Sequence, residues 1–316
     1  MQEDDALENL KDMKKLMVCL IFMRVAYQPV IAQHYNYNDQ LHYSEVMLEG
    51  GISTGIINAL TDLGGKKGKG DKFIKDLTWK TSRPAYGLSF TATYRNSIAV
   101  RLDGLTGSIT AADSSLKKIA ASSSGRYWRN LSFQSKLTEF LFALEIHPLC
   151  FRYDYYDESP AWSPYIVAGI GYFIFNPRAM LDGQWYELQP LRTEGQGLPG
   201  NEKKLPYRLQ QFNFAAGLGL KYEFTHRFNL RAEMVHRFLK TDYLDDVSSN
   251  YPDPDLLAAY LPLSRAVIAK RLSNRSREID ENAQIGKGDQ RGNPQNNDSY
   301  FTILLKLGIR LSRFGK

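Results

Sequence analysis

QQFNFAAGLGLKYEFTHRFNLRAEMVHRFL, from Gln210 to Leu239, carries two ladders of alternating residues joined by a short turn. In the first, Phe212, Phe214, Ala216, Leu218, Leu220, Tyr222 and Phe224 take every second place. Asn213, Ala215, Gly217, Gly219, Lys221 and Glu223 stand between them. After the turn Thr225–Asn229, Leu230, Ala232, Met234, His236 and Phe238 alternate with Arg231, Glu233, Val235, Arg237 and Leu239. A period of two is the side-chain repeat of a strand, one face apolar and the other polar or small. The first ladder is longer than the roughly 5–6 residues of a soluble strand and close to the ~9–11 that cross a bilayer at a tilt. A soluble sandwich would turn the polar face to water. A membrane barrel would turn the apolar face to lipid and line its interior with the charges.

The rest of the chain repeats the pattern. A first strand is expected over Glu45–Thr54, with Val46, Leu48 and Ile52 on one face. Tyr86, Leu88, Phe90, Ala92 and Tyr94 form the next, and Arg95-Asn96 a tight turn into Ile98, Val100 and Leu102. Leu131–Ile146 alternates cleanly only in its second half, which predicts a bulge near Leu137. Tyr165–Phe175, the central hairpin and Tyr300–Leu311 complete about eight strands. The connections alternate between short and long. Asn58–Arg83, Ser108–Asn130, Asn176–Arg208 and Thr241–Asp298 are long, while Arg95-Asn96 and Thr225–Asn229 are tight and Pro148–Ser163 is intermediate. Short turns at one end and long loops at the other mark an outer-membrane barrel, with the turns periplasmic and the loops extracellular. The expected fold is therefore all-β, a closed antiparallel transmembrane β-barrel over residues 45–316. A short helical insertion is expected before the last strand, because Leu256–Ile279 suits two short helices divided by Pro262.

In such a barrel Glu45, Glu49, Asp103, Glu139, Glu145, Glu223 and Glu233 face inward with Arg101, Lys221, Arg231, Arg237, Lys306 and Arg310. Near-balanced charges in an eight-stranded lumen should pair and fill it, which disfavours a passive pore. The small residues Gly217 and Gly219 on the inner face leave a transport or small-ligand barrel as the alternative.

Composition agrees with this reading. Among 316 residues there are 19 Tyr and 16 Phe, enough for interfacial girdles, and the mean hydropathy is -0.39 with no apolar run long enough for a membrane helix. Met13-Lys14-Lys15 followed by Leu16–Met23 reads as a secretory signal, with cleavage after Ala32 and translation from Met13. Gln33–Ser44 would then be a periplasmic lead-in. Leu16-Met17-Val18-Cys19 imitates a lipoprotein box with too little apolar sequence before it. Once Cys19 is removed, Cys150 has no partner for a disulfide. Gly64-Gly65-Lys66-Lys67-Gly68-Lys69-Gly70 lacks the Gly-Lys-Ser/Thr ending of a phosphate loop and reads as a solvated loop, so no nucleic acid is expected.

Two stretches invite chemistry. Asp242–Asp255 gathers five carboxylates in fourteen residues, and Asp242, Asp245, Asp246 and Asp253 are candidate ligands for calcium. The spacing is not that of an EF-hand, and Asp with Pro also makes turns and caps. His147, His226 and His236 lie in or beside strands, but no Ser has the flanks of a nucleophile elbow. An outer-membrane lipid hydrolase is thus a remote alternative, and neither an enzyme nor a cofactor is expected.

SPYIVAGIGYFIFNP (Ser163–Pro177), WYELQPLRTEGQG (Trp185–Gly197), DYLDDVSSNYPD (Asp242–Asp253) and RGNPQNNDSYF (Arg291–Phe301) together resemble the PorG-like outer-membrane barrels of type IX secretion and gliding motility. The resemblance spans roughly Glu45 to Leu311. It implies a non-enzymatic barrel that ties the outer membrane to a periplasmic ring of the PorK lipoprotein and PorN, and it brings no catalytic residues. The tight turns offer a ring little area, so the partner surface is expected on Pro148–Ser163. There Arg152, Tyr153, Tyr155, Tyr156 and Trp162 suit an aromatic contact. An interfacial girdle is the competing reading of the same rings, and the two terminal segments are the other candidate surfaces.

Overall fold

The computed structural model describes residues 46–64, 81–122, 125–152, 160–199, 201–202, 204–225 and 227–314. Two compact units divide the chain, Met1–His42 and Tyr43–Lys316, and the described residues all belong to the second. The signal peptide and its cleavage site, Gln33–Ser44, Glu45, the Lys66–Lys69 run, Tyr153, Tyr155, Tyr156 and His226 lie outside the described residues.

Strands β1 (Val46–Leu60), β2 (Arg83–Tyr94), β3 (Ile98–Ala112), β4 (Ser132–Ile146) and β5 (Trp162–Leu181) run in chain order. They are followed by a short β6 (Gln184–Glu187), β7 (Gln210–Glu223), β8 (Phe228–Leu239) and β9 (Ser299–Phe314). The sheet order is β4-β3-β2-β1-β9-β8-β7-β5-β6, and β4 also pairs with β5. Eight strands therefore close on themselves, all pairs antiparallel, while β6 only folds back on the tip of β5. Closure gives every barrel strand two partners, as a structure in hydrocarbon requires. The expected fold class holds.

The central hairpin pairs Gly217 with Val235 and Lys221 with Arg231, so the small and charged residues of both strands share one face. At the tight turn between β2 and β3, Arg95 and Asn96 take φ of 46° and 58°. Two successive positive φ values make the primed turn that fits the strand twist. On the outer wall Leu88, Phe142 and Leu218 are 68%, 58% and 66% exposed, among a continuous set of outward Phe, Leu and Ile. An apolar belt of that extent belongs against lipid. Trp162 stacks on Tyr222 at 4.4 Å and Phe224 on Phe228 at 6.2 Å where these strands meet the turns, an aromatic girdle. His236 stands edge-on to Phe238 at 4.5 Å on the same wall. The chain is an outer-membrane-type barrel. Among the described residues no helix is long and apolar enough to cross a membrane.

Several expected boundaries need correction. β1 runs past Thr54 to Leu60, and β5 past Phe175 to Leu181, so the loop expected from Asn176 begins as sheet. No bulge occurs near Leu137, where β4 keeps an unbroken register with both neighbours. The irregularity lies instead between Leu48 and Glu49, on the β1–β9 pair. Leu137 upset the pattern because the inner wall itself turns apolar there, with Phe133 and Leu137 buried. The helical insertion is present as α2 (Pro254–Tyr260) and α3 (Leu263–Ser273) on either side of Pro262, with a short α1 (Arg126–Arg129) in an earlier loop.

Candidate functional site

The lumen is built in two tiers. Toward the turns it holds six cations and six anions. Arg231 sits between Glu49 at 2.5 Å and Glu145 at 2.9 Å, and Arg101 shares Glu145 while meeting Glu233 at 2.7 Å and Asp103 at 2.8 Å. Lys306 bridges Glu233 at 2.9 Å and Asp103 at 3.4 Å. Lys221 and Arg310 converge on Glu223 at 2.8 and 2.5 Å, and Arg237 meets Glu139 at 3.0 Å. The neutral residues complete the shells. The Tyr165 hydroxyl donates to Glu233, and Tyr300 and Asn213 donate to Glu139, at 2.9, 2.9 and 2.7 Å. Of the interior residues expected from the sequence, Glu49, Asp103, Glu139, Glu145, Glu223 and Glu233 thus pair with Arg101, Lys221, Arg231, Arg237, Lys306 and Arg310. Gly219 has no Cβ because the Tyr165 ring occupies that position, 2.2 Å from where one would stand. The small inner residues thus make room for a neighbour's ring.

Toward the long loops the lumen is apolar. Ile57, Leu105, Ile109, Phe133, Leu137, Phe173, Phe175 and Leu304 form a buried core there. It continues without a break into a folded cap through Leu191, Leu198, Tyr207, Leu244, Val247, Leu257 and Leu272. The charged interior expected along the whole barrel is therefore confined to one tier.

The cap is where the sequence stretches of the resemblance meet. Glu194 accepts from the Ser248 and Ser249 amides at 2.9 and 3.1 Å, and from the Ser249 hydroxyl at 2.5 Å. Arg291 reaches Glu194 at 3.0 Å and donates to the Asp246 carbonyl at 2.6 Å. Burial pushes the Glu194 carboxyl up, but Arg291 and the serine donors outweigh it and hold the group below its usual range. Gly292 is fixed by the same crossing, since a Cβ there would stand 2.6 Å from the Ser248 backbone. In another loop Arg129 grips Asp113 at 2.8 Å and donates to the Asp62 and Arg291 carbonyls. Neither Glu194, Arg291 nor Arg129 stood out in the sequence. For Glu194 and Arg291 the one signal that could have found them was their place in the motifs of the resemblance, and Arg129 had none.

The expected calcium ligands do not form one set. Asp253 caps α2 by accepting from the Asp255 amide at 2.9 Å, and it pairs with Lys287 at 2.7 Å on the surface. Asp246 is taken up by Thr193, by the Tyr207 hydroxyl at 2.8 Å and by Arg291. Burial lifts its carboxyl to about 6 against those partners. Asp242 and Asp245 remain, buried and drawn together with Asp62 and Asp298.

At the turn end His147 Nδ1 lies 2.9 Å from Ser163 Oγ and Nε2 lies 3.4 Å from Glu145 Oε2. These are the residue types of a hydrolase triad. All three are buried, however, and Glu145 is already held by Arg101 and Arg231. Of the expected partner surface, Trp162 stands on the outer wall within the girdle, and Arg152 ends the turn Pro148–Arg152.

The family described as Domain of unknown function (DUF6089) matches residues 64–259, well over half of the chain. The chain belongs to the DUF6089 family. The matched residues of this DUF6089 protein take in β2 to β8 and the start of the cap helices. Among solved structures it is similar to the N-terminal β-barrel domain of Pseudomonas aeruginosa OprF, at 10% identity and a TM-score of 0.32 over 85% of this chain and 99% of that one. It is also similar to Ail, the attachment invasion locus protein of Yersinia pestis, at 10% identity and a TM-score of 0.35 over 85% and 99%. OprG of Pseudomonas aeruginosa gives 11% identity and a TM-score of 0.35 over 86% and 99%. No curated protein matches the sequence.

Proposed function

We propose that this DUF6089 barrel is a non-enzymatic membrane anchor of a type IX secretion or gliding apparatus, holding a periplasmic ring of PorK/PorN type to the outer membrane. The observation that carries the reading is the filled lumen. Arg101, Tyr165, Phe173 and Tyr300 are all but inaccessible across the middle of the barrel, and a core plus cap lies over them. A barrel spending its interior on ion pairs and packing suits a mechanical or scaffolding role better than transport of a solute. The resemblance of its four motifs to PorG-like barrels supplies the partner class. The test is to pull the native protein from outer membranes and identify what accompanies it by mass spectrometry. Ring proteins should co-purify in the wild type and fall away in Tyr155→Ala, Tyr156→Ala, Trp162→Ala without loss of heat-modifiability. Absence of any ring protein from the wild-type material would refute the reading.

The constellation of Ser163, His147 and Glu145 supports a second reading, a hydrolase acting at the turn end. A lipid deacylation assay decides it. Activity abolished by His147→Ala would favour the hydrolase, and an inactive wild type would exclude it.

A further inference from the structure

The surface of the cap holds a cleft of about 320 Å³ between the connection from β6 to β7 and the junction of α2 with α3. Small-molecule sites run from roughly 300 to 1,000 Å³, so it has room for one compact ligand. Gln189, Arg192 and Pro206 line it from the first side, and Tyr260, Leu261 and Arg265 from the second. Each is held there by the local fold. The Arg192 amide donates to the Gln189 carbonyl at 3.3 Å, in a turn where Arg192 takes φ of 50°. Gln189 Nε2 donates to the Tyr207 carbonyl at 3.3 Å, which leaves its Oε1 to accept. Pro262 separates the helices, so Tyr260 ends α2 and Arg265 stands in the first turn of α3.

The decisive observation is charge without a counter-charge. The Arg192 guanidinium meets one neutral acceptor, the Gly197 carbonyl at 3.4 Å. Among the described residues neither Arg192 nor Arg265 forms an ion pair, and no Asp or Glu lines the cleft. Other arginines of these loops are matched: Arg178 to Glu187, Arg271 to Asp182, Arg275 to Glu278 and Arg291 to Glu194. Two guanidiniums in one cleft repel unless an anion joins them, and their fork of N–H donors fits the oxygens of a phosphate. The charge count narrows the class. A phosphate monoester, with its second pKa near ~6, brings close to two negative charges at neutral pH, whereas a carboxylate or a phosphodiester brings one. Tyr260 is 53% exposed, and with Pro206 and Leu261 it offers a flat apolar wall to the rest of such a molecule.

We propose that this cleft binds a phosphate monoester carrying a flat or apolar body. Arg192 and Arg265 take the phosphate, Tyr260 stacks on the body, and Gln189 Oε1 accepts from a hydroxyl. The ligand is either a soluble phosphomonoester or the headgroup of a lipid with a terminal phosphate. The site lies on the cap and uses no periplasmic partner, so it stands or falls apart from the secretion reading.

The test uses the full-length protein refolded into phosphatidylcholine bilayers, titrated with phenyl phosphate and, as the uncharged control, phenol. Phenyl phosphate should bind saturably at one per chain, and phenol should not. In Arg192→Gln, Arg265→Gln the affinity should fall at least about tenfold while the barrel stays heat-modifiable. Should that variant fail to fold, Arg265→Gln alone, at an exposed position without an ion pair, should still weaken binding. Tyr260→Ala should weaken phenyl phosphate more than inorganic phosphate. Competition from phosphatidic acid in the bilayer, without competition from phosphatidylglycerol, would identify the lipid as the source, and its absence the soluble ester. No saturable binding of phenyl phosphate at millimolar concentration, or equal affinity in the folded arginine variants, would overturn the proposal.

Discussion

In the half of the lumen nearest the turns, Arg231 lies between Glu49 and Glu145, and Arg101 joins Glu145 to Glu233 and Asp103. In the half nearest the long loops, Phe133, Leu137, Phe173 and Phe175 fill the same cylinder with hydrocarbon. The difference follows from what each end meets. The turns Arg95-Asn96 and Thr225–Asn229 are too short to fold over the opening, and among the described residues the turn-end half is filled from the strands. Long paired side chains with fixed hydrogen-bond geometry do that, and they specify one arrangement. The long loops bring their own apolar residues, Leu244, Val247 and Leu257 among them, so the upper half can be closed as an ordinary hydrophobic core. One barrel thus joins a rigid polar tier to a domain-like cap.

The sharpest way to break this contrast is Glu145→Ala, which strips Arg101 and Arg231 of their shared carboxylate. Removing one partner of a buried ion pair costs about 3–5 kcal/mol because the remaining charge is stranded. The urea midpoint of the whole barrel, read by heat-modifiability on gels, should fall accordingly. Leu244→Ala in the cap should cost somewhat less, about 2–4 kcal/mol for a fully buried leucine, and the loss should be local. Its loops should be cut faster by protease while the barrel keeps its urea midpoint. Equal loss of barrel stability in both variants would erase the distinction between the tiers.

A smaller effect separates the tiers by pH. Burial and the neighbouring aspartates push the Asp242 and Asp245 carboxyls up to about 9 and about 8. Their folded values exceed the unfolded value near ~3.9, so the proton-linked stability is full below that value. It is lost as the pH rises through about 8 and about 9. The slope is at most about 1.4 kcal/mol per pH unit for each group. Loop proteolysis should therefore quicken from about pH 5 to about pH 9 in the wild type, level off above that, and stay flat in Asp242→Asn, Asp245→Asn. Acceleration of equal size in that variant would trace the effect to other groups.

How far the sequence reached follows the same division. The lipid-facing wall and the charged tier were legible, because a period of two places Lys221, Glu223, Arg231, Glu233 and Arg237 on one face without knowledge of their partners. The pairing itself was not, since Arg101 and Glu233 are 132 residues apart and only closure brings them together. The apolar tier was misread as a bulge near Leu137, because there inward Phe133 and Leu137 alternate with outward Gln134, Lys136 and Thr138, which inverts the polarity of the ladder that Phe140 and Phe142 continue. The cap was the least legible. Asp62, Glu194 and the pair Arg291 and Asp298 lie on three different loops with no periodicity, and only folding makes neighbours of them.

The account rests on a lumen that is sealed. The most direct test is conductance of the purified, refolded protein in planar lipid bilayers. A filled charged tier beneath a packed cap predicts a silent membrane across the voltage range in which the bilayer itself is stable. Reproducible single-channel steps, enlarged in Arg231→Ala, would show an open path through the tier of ion pairs and contradict the account.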